Sequence, residues 1–232
     1  MFRFTQPAWD WMAEQGVSAV CDLRSREERE LAPTIWQGGK HTRHIGVEYD
    51  AQLLFAHRKE HRHAGLNEMH DSLYAVFPRL LAPSLKAMFQ ALLEARTPLV
   101  VHCSAGQDRT GFAVGVLLSL LGVARDTILA DYHLSTRCRR IENELDLDKI
   151  LAHAEHNAFA RYYADVLRRR GQAALKPREL VNRNGQSLLL DAFHAIGAEW
   201  GSVPAYVEAQ LGLRHEHIVR LRKICLTALD AQ

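Results

Sequence analysis

His102-Cys103-Ser104-Ala105-Gly106-Gln107-Asp108-Arg109-Thr110-Gly111 follows the short apolar run Leu99, Val100, Val101 and opens an uncharged apolar stretch that reaches Ala124. A continuous apolar run of that length, with Pro98 before it, reads as a strand covered on both faces. The stretch from about Arg109 to Leu121 reads as a buried helix, with Gly122 as its C-terminal stop. Strand, glycine-containing loop and helix in that order can turn successive backbone N–H groups inward at a helix N-terminus. Such a nest binds anions.

Arg109 closes the loop at C-x5-R spacing and offers a planar bidentate fork to a tetrahedral oxyanion. The inward N–H groups of residues 104–109, the helix dipole and Arg109 all favour a thiolate at Cys103. A thiolate beneath a bound phosphate is placed for in-line attack on phosphorus. Thr110 can donate its hydroxyl to the sulfur, and His102 is expected to orient the loop. Phosphate ester cleavage also needs a proton donor at the leaving oxygen and then a base for water. Asp108 inside the loop is favoured for both tasks over a plain helix-capping role, with Asp22 and Asp71 as the other candidates. A buried inert cysteine is the bland reading of Cys103 alone. The joint pattern H-C-x2-G-x2-R-[ST]-G arises by chance in such a chain on the order of once in a hundred thousand or less.

Outward from the loop, the N-terminal half alternates between helical and extended pieces. Pro7 to Gln15 can form a helix, Val17 to Cys21 a strand, and His44 to Tyr49 a second extended piece. Leu66, Met69, Leu73, Val76, Phe77 and Leu80 recur at helical spacing, and Pro83 can open another helix. Beyond Gly122 nearly everything reads as helix. Leu147, Leu151, Ala154, Ala158, Tyr162 and Val166 mark one face, with packing on the domain as its first reading. The expected class is α/β with a helical extension.

Composition narrows the function. The 232 residues carry 29 Lys+Arg and 27 Asp+Glu, a net charge of +2, which argues against a dedicated nucleic-acid binder. Cys21, Cys103, Cys138 and Cys225 form no ligand spacing and no disulfide framework, so a cytoplasmic protein is expected. Asp10 and Glu14 interrupt the segment a secretory leader would occupy, although export without a cleavable leader stays compatible with the sequence. The apolar stretch ending at Ala124 is too short to span a bilayer, so no integral membrane association is expected. His57, His61 and His63 form H-x3-H-x-H, in which His57 and His61 would share one face of a helix, but Arg58, Lys59 and Arg62 would repel a cation. A solvated loop is expected there, without a metal.

The loop HCSAGQDRTG resembles that of cysteine-dependent protein tyrosine phosphatases, and more narrowly an atypical bacterial group whose loops read HC-x-AGKDRTG. Asp22-Leu23-Arg24-Ser25 with Glu27 or Glu28 resembles that group's DLRS-x-x-E segment. Asp131-Tyr132-His133-Leu134-Ser135 resembles its D-Y-x-x-S helix, and Trp200-Gly201-Ser202, Tyr206 and Leu211-Gly212-Leu213 its C-terminal YGS…Y…LG-L stretch. The resemblance implies a single phosphatase domain over residues 1–232 with a small, mostly parallel central sheet flanked by helices. A helical lid would occupy about 137–180, and C-terminal helices at 186–230 would pack on the core. It implies Cys103 as nucleophile, Arg109 as phosphate ligand and Asp108 as general acid, with Ser104, Ala105, Gly106 and Gln107 completing the phosphate cradle. His102, Thr110 and Asp22 would support it.

No cofactor is implied. The expected substrate is a phosphotyrosine protein or peptide, with inorganic phosphate as product and dual specificity open. Gln107 stands where the group carries lysine, which removes a positive charge and weakens the alternative of a phosphoinositide or small phosphate ester phosphatase. A non-catalytic phosphate-binding module is the lesser alternative, since nucleophile, acid and arginine are all present. A sulfurtransferase-like or arsenate reductase-like chemistry at Cys103 fits poorly with the Thr110-Gly111 ending.

Overall fold

Ala19–Asp22 (β1) runs through the middle of a small parallel sheet in the computed structural model, between Arg43–Ile45 (β2) and Leu99–His102 (β3). The structure describes residues 6–36, 41–55 and 66–226, with only the backbone at 55, 66–72 and 142. Ala19 pairs with both Arg43 and Leu99, and Asp22 with His102, so β1 and β3 end side by side. All four residues of β1 are buried, whereas Leu99, Val100 and Val101 are half-buried because β3 lies at the edge of the sheet. The strand covered on both faces is therefore β1, and β3 is its outer neighbour. The extended piece expected from His44 to Tyr49 is strand only as far as Ile45.

The N-terminal helices are Gln6–Glu14 (α1), Arg26–Leu31 (α2), Gln52–Phe55 (α3), Leu66–Leu80 (α4) and Ala82–Leu93 (α5). α2 begins with a reciprocal cap. Ser25 Oγ accepts from the Glu28 N–H at 3.3 Å, and Glu28 Oε2 accepts from the Ser25 N–H at 2.9 Å. α4 spans the residues that the apolar spacing marks. α5 starts one residue before Pro83, which suits the first turn of a helix because its missing N–H would have no partner there. α5 packs on β1 and β2.

Asp108–Leu121 (α6) follows the loop after β3, packs on β3 and stops at Gly122, whose φ of 90° is the left-handed conformation of a helix terminus. Arg125–Cys138 (α7) returns against it. The approach is close at Gly111, where an added Cβ would lie 2.5 Å from the Tyr132 ring. Ile141–Glu144 (α8), Leu147–His153 (α9), Ala158–Arg170 (α10) and a 3-10 turn at Gln172–Leu175 follow. Leu188–Trp200 (α11) packs along α4. Val203–Tyr206 (α12), a π turn at Val207–Leu211 and His215–Cys225 (α13) complete the described chain.

Two apolar clusters result. The larger joins the sheet to α4–α7 and α11–α13 and is centred on Tyr74, Phe77, Phe89 and Phe112. The smaller comprises Leu31, Ala51, Leu145, Ile150, Phe159, Ala160 and Leu175 and sits where α8–α10 meet α2 and Ala51. The stripe from Leu147 to Val166 is not one face. Asn157 interrupts it by accepting from the Ala160 N–H at 2.9 Å and donating to the Glu27 carbonyl at 3.0 Å. Phe159, Ala160 and Ala164 form the buried face of α10, while Tyr162 and Val166 line a cleft and Leu151 is exposed. Among the described residues no helix is long and apolar enough to cross a membrane. The histidines 57, 61 and 63 lie outside the described residues.

Candidate active site

The loop from Cys103 to Gln107 links the end of β3 to the start of α6. Gly106 turns it through a φ of 66°, a conformation that side chains with a Cβ rarely adopt. Cys103 is buried at its base, and the Thr110 hydroxyl donates to its Sγ at 3.3 Å. Beside the loop lies a cleft of about 190 Å³ whose floor includes Ser104, Ala105, Gln107, Asp108 and Arg109. Its lining includes Phe77 of α4 and Phe159, Tyr162 and Tyr163 of α10, and also the charged residues Arg139, Glu144, Lys176, Arg178 and Glu179.

Arg109 is held from the sheet side. Its Nη1 donates to Glu28 Oε2 at 2.6 Å and its Nη2 to Glu28 Oε1 at 2.7 Å, a bidentate pair in which both groups are buried. Nη1 also donates to the Tyr49 hydroxyl at 2.8 Å, and the Ser104 hydroxyl donates to Glu28 Oε1. Burial opposes ionisation of Glu28, but Arg109, Ser104 and the Ser25 N–H outweigh it and keep the carboxyl below its ordinary value. One residue thus caps α2 and fixes the plane of the loop arginine.

Asp108 faces helices instead. The Tyr74 hydroxyl of α4 donates to Asp108 Oδ1 and in turn contacts the Tyr132 hydroxyl of α7. Burial, and then the Asp108 carboxylate, push both phenols above their ordinary values, so both remain protonated donors. Gln107 turns away from the loop centre. Its amide nitrogen donates to Ser135 and Thr136 at 3.3 and 3.1 Å, and its oxygen accepts from Arg139 Nη1 at 3.3 Å. Arg139 is clamped by Glu144, with Nε to Oε1 at 2.9 Å.

The remaining sequence candidates lie behind this site. Asp22 is buried and bonded to Arg24 at 2.8–3.2 Å and to the Thr34 hydroxyl at 2.7 Å. Burial opposes its charge, yet Arg24, His102 and Thr34 hold the carboxyl well below its usual range, which removes it as a proton donor. Arg24, 1% exposed, braces the fold through this pair and the Ala32 carbonyl. His102 is buried 3.8 Å from Asp22, with Nδ1 3.2 Å from the Cys103 carbonyl. Burial lowers its pKa to about 4, against the pull of Asp22, so the ring is neutral at pH 7. Asp71 falls on α4, and its side chain lies outside the described residues.

A model described as the tyrosine phosphatase family matches residues 1–227. The chain belongs to that family. It is 30% identical over 137 residues to a tyrosine-protein phosphatase of Nostoc commune, covering 57% of this chain and 45% of that one. Over 41 residues it is 54% identical to the triple specificity protein phosphatase PtpB of Mycobacterium tuberculosis, covering 18% and 15% of the two chains. The chain thus spans less than half the length of these curated relatives. Membership of the tyrosine phosphatase family accords with the small parallel sheet and with a cysteine loop at the carboxyl ends of β1 and β3.

Sequence reading alone did not find the roles of Tyr49, Tyr74 and Tyr132, and it left Glu27 and Glu28 unresolved. Glu28 proves to be the arginine partner, while Glu27 Oε2 accepts from the Ala51 N–H at 2.7 Å. The capping-box spacing from Ser25 to Glu28 was the available signal for the choice.

Proposed function

We propose that this protein hydrolyses phosphate monoesters, phosphotyrosine in proteins or peptides first among them, through a phosphocysteine intermediate. The observation that carries the reading is a clamped arginine and an aspartate, on the first turn of α6, in the lining of a cleft, with a cysteine that accepts from the Thr110 hydroxyl buried at the base of the preceding loop. In the first step Cys103 Sγ forms a bond to phosphorus, the bond to the ester oxygen breaks, and Asp108 gives its proton to that oxygen. In the second, water attacks phosphorus, Asp108 takes its proton, and the S–P bond breaks to release inorganic phosphate and the thiolate. Arg109 and the loop N–H groups stabilise the charge of the transferring group.

An aryl ester suits the walls offered by Phe77, Phe159, Tyr162 and Tyr163, and the turned Gln107 adds no charge for an inositol phosphate. Dual specificity stays within the proposal, given the relative described as a triple specificity phosphatase. We assign residues 137–180 as a cover over the site, because α8–α10 share their own apolar cluster and line the cleft, and 186–230 as C-terminal helices of the same domain. Four free cysteines favour the cytoplasm.

The test is hydrolysis of para-nitrophenyl phosphate from pH 5 to 8 by wild type, Cys103→Ser and Asp108→Asn. Wild type should turn over, Cys103→Ser should bind phosphate without turnover, and Asp108→Asn should lose the basic limb of the profile. Turnover surviving in Cys103→Ser would refute the mechanism.

A further inference from the structure

Tyr74 is wholly buried between α4, α6 and α7, its ring 4.9 Å from that of Phe77 and 6.4 Å from that of Tyr132. A phenol placed only for packing has no need of a hydroxyl, and burying one without a partner is unfavourable. Here the hydroxyl is shared between Asp108 Oδ1 and the hydroxyl of a second buried tyrosine. A phenol has one hydrogen. If Tyr74 gives its own to Asp108, it can only accept from Tyr132, which orders the chain as Tyr132 to Tyr74 to Asp108.

We propose that Tyr74 and Tyr132 form a two-phenol donor ladder that positions Asp108 and leaves Oδ2 as the oxygen that delivers its proton. The proposal rests on the assignment of Asp108 as general acid. With Oδ1 occupied as an acceptor, the transferable proton resides on Oδ2, so the ladder selects the oxygen as well as its orientation. A donor that itself accepts a hydrogen bond is the stronger for it. Removing Tyr74's hydroxyl should therefore loosen the aim of Asp108. Removing Tyr132's hydroxyl should act in the same direction but less, because it acts only through Tyr74.

Other groups bear on the same region. Arg139 beyond α7 interacts with Asp108, and Asp191 on α11 and the His133 ring lie near Tyr132. Arg109 and Cys103 lie in the loop, and Glu144, Lys176, Arg178 and Glu179 border the cleft. All are retained in Tyr→Phe variants, so a leaving-group-dependent loss in those variants reports the ladder.

The experiment measures kcat/KM against pH in the full chain for wild type, Tyr74→Phe, Tyr132→Phe, the double variant and Asp108→Asn. Phenyl phosphate and para-nitrophenyl phosphate serve as substrates. In Tyr74→Phe kcat/KM at the optimum should fall roughly 3- to 10-fold. The loss should be greater on phenyl phosphate, whose leaving oxygen depends more on the acid. Tyr132→Phe should show a smaller loss, and the double variant should match Tyr74→Phe alone. Equal losses on the two substrates in Tyr74→Phe, with the basic limb abolished in Asp108→Asn, overturn the ladder and leave the acid assignment standing. Additive losses in the double variant overturn the serial order. A limb that persists in Asp108→Asn overturns the acid assignment and the ladder together.

Discussion

Asp108 and Arg109 are neighbours in sequence, yet they meet two unlike halves of the molecule. Arg109 turns to the sheet side, where α2 supplies a buried carboxylate that also caps its own helix. Asp108 turns to the helical side, where α4 and α7 supply neutral phenols. A charged partner fixes the charge of the group it holds, because separating a buried pair leaves an uncompensated ion. Neutral donors fix direction and leave the proton free to move. In the proposed reaction the arginine stays charged throughout turnover and the aspartate changes charge twice, so each half is matched to its proposed task.

The largest effect is expected from breaking the charged half. Glu28→Gln leaves Arg109 buried beside a neutral amide, and such losses cost about 3–5 kcal/mol. Chemical denaturation should register that fall, and kcat/KM should drop by roughly 100-fold as the guanidinium loses its fixed plane. The sign with pH follows from the lowered carboxyl of Glu28. Its contribution to stability is present in full above the unfolded-chain value of about 4.3 and fades as pH falls through the lower folded value. Glu28→Gln should therefore flatten the acid side of the stability profile. A variant as stable as wild type at pH 7 would remove the distinction between the halves.

The two halves also differ in how much of them the sequence discloses. The loop, the helix from Asp108 and its stop at Gly122 are legible, since a short motif and local capping preferences encode them. Glu28 is legible in part through the spacing from Ser25. The phenol ladder is not legible, because Tyr74 and Tyr132 stand 58 residues apart and meet only through the packing of α4 and α7 around α6. The stripe from Leu147 to Val166 misleads for a related reason: periodicity ignores Asn157, which starts a new helix by accepting from the Ala160 N–H and is tied to the Glu27 carbonyl through its amide nitrogen. The edge position of β3 is equally invisible locally, since strand order is decided by crossovers elsewhere.

An intermediate effect should come from Gly111. An alanine Cβ there would sit 2.5 Å from Tyr132 Cδ2, so the ring must move. Overpacking of this kind costs about 1–3 kcal/mol, readable as a lower denaturation midpoint. Because the ring carries the outer rung of the ladder, Gly111→Ala should also lower kcat/KM more on phenyl phosphate than on para-nitrophenyl phosphate, as Tyr132→Phe does. Lost stability with equal effects on the two substrates would mean that the neutral half tolerates displacement of its outer phenol.

The smallest effect sharpens the comparison at the seam between the halves. Gln107 bridges the loop to α7 through Ser135 and Thr136 and receives Arg139 on its oxygen. A lysine there can still donate to the two hydroxyls, but it cannot accept from Arg139 and would face it as a like charge. The side chain is then driven towards the cleft, where phosphate would draw it. Gln107→Lys should change stability by about 1 kcal/mol or less, given the partial exposure of Arg139. It should raise kcat/KM on an inositol-lipid phosphate relative to a phosphotyrosine peptide by roughly 3-fold, a change worth about 0.7 kcal/mol, with little effect on para-nitrophenyl phosphate. An unchanged ratio would mean that residue 107 acts only as a strut between loop and α7, and that the other residues lining the cleft choose the substrate.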